Sequence, residues 1–212
     1  TSVSAFLLNR SSDLVSYKGM NGYFKLLLIL AVAFALWTYW LKPEQGSRSL
    51  ELYSPTENVQ HVEGYTITSL EPYVGEFRVL ARENYRMGRE AELSPVDFAL
   101  GWNEMAKPEV YKQLFITQSN RWYYWRYENN PPIPVNDIAS SSANTHLIPA
   151  NKVVAQKLAD IDADDMVYLK GQLVEVKSTD GWTWRSSLSR IDTGNGACEL
   201  MLVEEVREIS SL

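Results

Sequence analysis

The 212-residue sequence has few of the side chains that build covalent or metal-bound scaffolds. Cys198 is the single cysteine, and His61 and His146 are the only histidines. One cysteine excludes an internal disulfide framework. These three side chains also cannot supply the four Cys and His ligands of a structural zinc site. We therefore expect neither a metal nor a cofactor in this protein.

The sequence also lacks the common signatures of nucleotide binding and hydrolysis. It contains no G-x-x-x-x-G-K-[ST], G-x-G-x-x-G, G-x-S-x-G, H-E-x-x-H or C-x-x-C arrangement. The acidic run 160–165 begins like a calcium loop, but Asp165 stands where that loop needs glycine. Gly171 likewise stands where the loop needs its bidentate glutamate. We interpret this run as a solvated turn and assign no catalytic residue.

Positive charge is scarce. The chain has 20 Lys and Arg against 26 Asp and Glu, a formal net charge of −6, and residues 49–212 carry 15 of the former and 24 of the latter, or −9. This balance disfavours a broad electrostatic attraction to nucleic acid or to anionic lipid as the main activity. We expect no nucleic-acid partner.

Long hydrophobic runs are absent except for one. Residues 26–41 read LLLILAVAFALWTYWL, without a charge or a proline. A membrane-spanning helix needs about 20 mainly apolar residues. Residues 23–42 reach that length if Lys25 extends its amine to the interface, and three aromatic rings at 37, 39 and 40 suit the headgroup zone. The run predicts a single-pass transmembrane helix at 23–42, with the lipid bilayer as its partner.

A buried core helix and a cleaved secretory signal are the alternatives for this run. A core helix would normally have a polar stripe. The small residues that cleavage needs, Ala31, Ala33 and Ala35, are followed by bulky side chains. An uncleaved signal anchor is therefore favoured, and the short segment before it favours a cytoplasmic N-terminus. We expect an inner-membrane protein with a periplasmic C-terminal domain.

The domain organisation follows from this anchor. Residues 1–22 form an N-terminal tail, in which Met20 opens a conventional start, and residues 43–60 are a polar linker with two prolines. Residues 61–212 form a soluble, β-rich domain. Its composition is that of an ordinary globular protein, with 45% hydrophobic residues in the whole chain.

The patterning of the domain predicts an α+β fold with mainly antiparallel strands. Residues 65–70 and 76–82 alternate like a strand pair, with a turn between them at Pro72 and Gly75. Short helices are expected to begin at Ser94-Pro95 and at Lys107-Pro108, and Asn151 can cap a helix over 152–159.

The last third predicts three strands in an antiparallel meander. They cover residues 166–176, 182–189 and 197–206. A helix, a strand with a central glycine at Gly171 and a curled hairpin together resemble part of a five-stranded barrel of the oligonucleotide/oligosaccharide-binding (OB) type. The resemblance covers residues 150–206, rests on the order of elements and implies a fold, not an activity.

Two aromatic strands are candidates for binding. In the strand over 121–127, Trp122, Tyr124 and Arg126 share one face, whereas Trp125 shares the other with Arg121, Tyr123 and Tyr127. In the second strand, Trp182 and Trp184 share a face and Arg185 takes the other. Such rings either form a stacking surface for a ligand or partner, or fill the barrel core.

Two function classes remain open from the sequence. The first is a non-catalytic binding or accessory protein of a membrane or cell-envelope complex, with a protein or envelope component as partner. Its candidate binding residues are Trp122, Trp125, Arg126, His146, Asn151, Trp182, Trp184, Arg185, Arg190 and Asp192. The second is a membrane-anchored enzyme with a site around His146, Asp192 and Cys198. A pocket that brings His146 to Cys198 or Asp192 would favour the enzyme.

Overall fold

The computed structural model describes residues 26–32, 59–62, 64–189 and 197–210. The chain divides into two compact units, Thr1–Glu44 and Gln45–Leu212. In the first unit, residues 26–32 are helical (α1). Among the described residues, no helix combines the length and the apolar character needed to cross a membrane. The rest of the predicted span 23–42 lies outside the described residues, so the span stays a prediction.

The described part of the second unit is built mainly from strands. These are β1 (Val59–Val62), β2 (Tyr65–Asn84), β3 (Val96–Gly101), β4 (Phe115–Ser119), β5 (Trp122–Arg126), β6 (Ser142–Pro149), β7 (Met166–Ser178), β8 (Thr183–Arg185) and β9 (Glu199–Ile209). The helices are α2 (Arg89–Leu93), α3 (Pro108–Tyr111), α4 (Val135–Ser140) and α5 (Lys152–Asp160), with a 3₁₀ helix at Asn103–Ala106.

Five strands pair in a closed ring. The order is β2, β3, β6, β9, β7 and back to β2, and every pairing is antiparallel except that of β6 with β9. β1 adds to β2 and β8 adds to β7, whereas β4 and β5 form a separate two-stranded sheet. This confirms an α+β fold with mainly antiparallel strands in a mixed sheet.

Alternation along the strands places the main core. In β3, Val96, Phe98 and Leu100 belong to a buried hydrophobic cluster that takes residues from all five ring strands and from α5. The intervening Asp97 therefore points to the opposite face of the strand. Asn151 begins α5 as predicted, because its Oδ1 accepts a hydrogen bond from the main-chain N of Val154 at 3.0 Å.

Gly171 marks a close approach of two strands. The register of β7 on β9 shifts between Lys170 and Gly171, and a Cβ at Gly171 would overlap the main-chain oxygen of Leu202. The missing side chain lets the strand bend at this point. The glycine that the sequence places centrally in this strand is therefore at the point where β7 and β9 approach closely.

The turn predicted at Pro72 and Gly75 is wrong. β2 runs through both residues as one 20-residue strand, with a register shift between Ser69 and Glu71. Proline is tolerated here because residues 70–77 pair only with β7 among the described strands: β1 reaches Thr68 and β3 begins at Arg78. The missing N–H of Pro72 therefore costs no ladder hydrogen bond on the other side.

Two further expectations about the ring are corrected. Ser94-Pro95 precedes strand β3 instead of opening a helix, since three buried apolar residues follow at alternate positions. The last three strands are not a meander, because β9 lies between β6 and β7, and β8 pairs with the end of β7 beyond the residues that pair with β9. Contacts between residues distant in sequence decided this strand order. The alternation of residues within a single strand does not reveal which strands will lie beside it. The helix at Lys107-Pro108 is confirmed as the short α3.

Candidate functional site

The β4–β5 hairpin is the element that brings the candidate site together. Ser119 pairs with Trp122, so the two-residue turn between them consists of Asn120 and Arg121. Both have positive φ, 53° and 68°. This is the backbone of a type I′ turn, which favours glycine at its second position. An arginine here is held in a conformation that L-residues rarely adopt.

The side chain of Arg121 is held by the segment that precedes β3. Its Nη2 donates to the main-chain oxygen of Ser94 at 2.9 Å, and its guanidinium lies 3.7 Å from the centroid of the Tyr85 ring. The main-chain N of Arg121 donates to the hydroxyl of Tyr85 at 2.9 Å. Burial raises the pKa of that phenol above its usual value. These contacts compensate the strain of the turn and fix the hairpin tip.

Asp97 is the centre of a buried polar group, which we call the Asp97 cluster: Asp97, Arg121, Asn144 and His146. The carboxylate is fully buried, with Oδ1 2.6 Å from Nη1 of Arg121 and Oδ2 2.8 Å from Nδ1 of His146. Asn144 donates from Nδ2 to Oδ2 at 3.3 Å and to the main-chain oxygen of Arg121 at 3.1 Å.

Strand register explains the cluster. Asp97 and His146 are directly paired across β3 and β6, and Asn144 lies on the same face of β6 as His146. This face is opposite to the one that packs into the main core. The guanidinium of Arg121 compensates the buried charge of Asp97, as a buried carboxylate requires.

The imidazole of His146 is hydrogen-bonded through one of its two ring nitrogens within the described part of the chain. With Nδ1 on Asp97, the Nε2 atom makes no hydrogen bond to any described residue, and the side chain is 5% exposed. The ring lies 4.9 Å from that of Trp184. The arrangement can orient an imidazole, but most of its surface is covered.

Of the two faces of the hairpin, the outward face is the more exposed. It carries six residues in three cross-strand pairs, Phe115 with Arg126, Thr117 with Tyr124 and Ser119 with Trp122, which we call the hairpin platform. Phe115 is 42% exposed and Tyr124 is 50% exposed. The predicted sharing of this face by Trp122, Tyr124 and Arg126 is confirmed.

The inward face of the hairpin packs onto the ring. Ile116, Tyr123 and Trp125 lie against a third hydrophobic cluster that contains Ala99 and Met105. The Tyr123 hydroxyl donates to Oγ of Ser142 at 3.1 Å, and burial raises the pKa of Tyr123 to about 12. Trp125 therefore supports the platform and does not belong to it.

The second aromatic strand covers the outer side of the ring. Trp182 and Trp184, with ring centroids 6.0 Å apart, pack on a cluster that contains Ile148 and Leu202. Neither indole lies in the main core. Arg185 points away as predicted, with Nη1 3.1 Å from Oε1 of Glu175.

The remaining predicted site residues do not form one constellation. Asn151 serves as the helix cap described above, and Arg190 and Asp192 lie outside the described residues. Cys198 approaches the Asp97 cluster, where its Sγ donates to the main-chain oxygen of Arg121 at 3.9 Å. Within the described part of the chain, no group of three or more His, Cys, Asp or Glu side chains could hold a metal ion.

Sequence reasoning missed the centre of the cluster. Asp97 is the one charged residue of the strand VDFALG, and all six residues of that strand are buried. A carboxylate between buried apolar neighbours demands a cation or several donors. An aspartate between apolar residues was visible in the sequence, but the groups that bind its carboxylate were not. Searches against protein-family models, curated proteins and solved structures gave no match to this chain.

Proposed function

We propose that this protein is a single-pass, membrane-anchored accessory protein of a cell-envelope complex, whose OB-type domain binds a protein partner through the hairpin platform. The proposal rests on the platform, which is an exposed aromatic face. The other face of the hairpin and its tip are packed on the ring and hold this surface in place. Rigid exposed aromatic side chains are the usual centres of protein interfaces.

The order of elements supports the OB-type assignment. In the ring, the third and fifth strands, β6 and β9, are parallel, and α5 joins the third strand to the fourth, β7. OB-type barrels bind ligands on the face of the second and third strands. Here these strands are β3 and β6, and their outer face carries Asp97, Asn144 and His146.

The hairpin changes what this face can recognise. Arg121 from the hairpin tip contacts Asp97, and Trp184 from β8 contacts His146, so the chain's own side chains occupy the usual ligand face. The charge of −9 on residues 49–212 opposes an oligonucleotide ligand in addition. In this proposal the partner therefore binds the hairpin platform and not the usual ligand face.

The membrane anchor in this proposal rests on the apolar run 26–41. The same run, interpreted as an uncleaved signal anchor, is the ground for proposing that the domain lies outside the cytoplasm.

Site-specific photocrosslinking in the native host tests the proposal. A photoreactive benzoylphenylalanine replaces Tyr124 in one variant and Phe115 in another. The control replaces Val153, which is 66% exposed on α5. We expect one discrete adduct from both platform positions and none from Val153, and a weaker adduct when Trp122→Ala is added. Equal adducts from all three positions, or none from the platform, would contradict the proposal.

A second candidate function, nucleophilic chemistry at Cys198, has one favouring observation. The Asp97 carboxylate orients His146 as a general base requires, and Cys198 lies in the same neighbourhood. The rate of Cys198 alkylation by iodoacetamide, measured against pH, tests it. An activated thiolate would react at lower pH in the wild type than in His146→Gln. Superimposable profiles would rule out this chemistry.

A further inference from the structure

We infer that the partner segment seated on the hairpin platform is acidic: an extended stretch of a protein that places a carboxylate on Arg126 and apolar side chains on Phe115 and Tyr124. This inference rests on the proposed function and adds the chemistry of the partner.

Arg126 is a cation with no carboxylate partner among the described residues. Its guanidinium lies 4.2 Å from the centroid of the Phe115 ring, and it forms no ion pair with a described residue. Stacking uses the flat face of a guanidinium, whereas its N–H groups point outward in the plane. A carboxylate can therefore be bound by two parallel N–H donors without disturbing the stack.

The platform differs in charge from the rest of the domain. Its six residues include one cation and no anion, although acidic residues outnumber basic ones over 49–212. Of the other exposed arginines, Arg185 pairs with Glu175 and Arg207 pairs with Glu205, whereas Arg86 forms no ion pair with a described residue. A basic partner would find its carboxylates elsewhere on the domain. An acidic one meets an uncompensated cation on the platform.

The shape of the platform suits an extended segment. Five residues per strand give a length of about 17 Å, and the two strands present two exposed aromatic rings together with the exposed hydroxyl groups of Thr117 and Ser119. The fixed hairpin tip and the packed inward face keep this surface in place, which lowers the entropic cost of binding.

Selection of peptides tests the inference. Random 12-residue peptides displayed on phage are selected on the purified full-length protein in detergent. We expect enrichment of peptides that combine Asp or Glu with an aromatic or large aliphatic residue. Enrichment of peptides without carboxylates, or no enrichment above the library, would overturn it.

Charge reversal then tests the residue. We expect Arg126→Glu to weaken binding of a selected acidic peptide about five- to tenfold and to bind a copy of that peptide with Lys at the acidic positions better than the wild type does. Arg86→Glu makes the same change of charge at an exposed residue outside the platform and should leave both affinities unchanged. If both variants lose the same affinity for the acidic peptide, the loss comes from the net charge of the domain and not from Arg126, and the inference is overturned.

Tyr124→Ala separates the two proposals. If selected peptides lose affinity in Tyr124→Ala but not in Arg126→Glu, the platform binds a partner without acidic preference, and only the inference fails. If neither variant changes the affinity and the platform crosslinks are also absent, the proposed function fails with it.

Discussion

Arg121 and Asp97 form an ion pair that joins the tip of the β4–β5 hairpin to strand β3. Nη1 of Arg121 lies 2.6 Å from Oδ1 of Asp97, and the two side chains are 18% and 0% exposed. The pair holds a residue with φ of 68° in place. The position of the hairpin depends on this ion pair, and so does the position of the platform.

Replacement of the two turn residues by glycine should affect stability to very different extents. Arg121→Gly relieves about 1 kcal/mol of backbone strain but leaves Asp97 buried without its cation, at a cost of about 3–5 kcal/mol. We expect a net loss of about 2–4 kcal/mol in the free energy of unfolding, measured by urea denaturation.

Asn120→Gly is the matched control for the turn. Asparagine tolerates positive φ, so we expect a change of less than about 1 kcal/mol. An Arg121→Gly protein as stable as the wild type would show that the ion pair only offsets the backbone strain of the turn and would contradict its expected contribution.

Tyr123 should make stability fall at alkaline pH. Its pKa in the folded protein is about 12, against about 10 in an unfolded chain. The contribution is fully present below pH 10 and is lost as the pH rises toward 12, by about 2–3 kcal/mol. Tyr123→Phe lacks this loss but also lacks the bond to Ser142, which costs about 1 kcal/mol at neutral pH.

The measurement is the free energy of unfolding of both proteins at pH 8 and at pH 11.5. We expect the variant to be the less stable at pH 8 and to equal or exceed the wild type at pH 11.5. Tyr124→Phe alters an exposed ring, so its curve should follow that of the wild type. Parallel curves for Tyr123→Phe and the wild type would contradict the buried phenol.

Gly171→Ala should destabilise the ring. The added Cβ overlaps a main-chain oxygen of the neighbouring strand, which cannot move without breaking the pairing of β7 and β9. We expect a loss of about 3 kcal/mol or more in the free energy of unfolding. Gly181→Ala meets no atom within 4 Å but has φ of 90°, so it should cost only about 1–2 kcal/mol. Similar losses in both variants would refute the close approach.

Val32→Lys tests the predicted membrane span. A lysine near the middle of residues 23–42 should cost about 2.5–3.5 kcal/mol of insertion free energy. Part of the protein should then leave the membrane fraction on carbonate extraction, whereas Val32→Leu should not change the distribution. A lysine variant that stays fully in the carbonate-resistant fraction would argue against a single span.

Local patterns in the sequence predicted the elements whose causes are local. Alternation gave the faces of β5, and an asparagine before an apolar helix gave the cap of α5. Each depends on residues within a few positions of one another. The turn at Pro72 failed because the neighbours of a strand, which are distant in sequence, decide whether a proline is tolerated there.

The sequence by itself determined the α+β character and the two aromatic strands. The burial of Asp97, and with it the need of this carboxylate for partners, follows from the pairing of β3 with its neighbours. Only the tertiary structure decided what those partners are. Arg121 is 24 residues from Asp97 and His146 is 49 residues away. Periodicity specifies which face of a strand a side chain takes, but the order and register of the strands, set by packing of the whole core, specify what lies beside it.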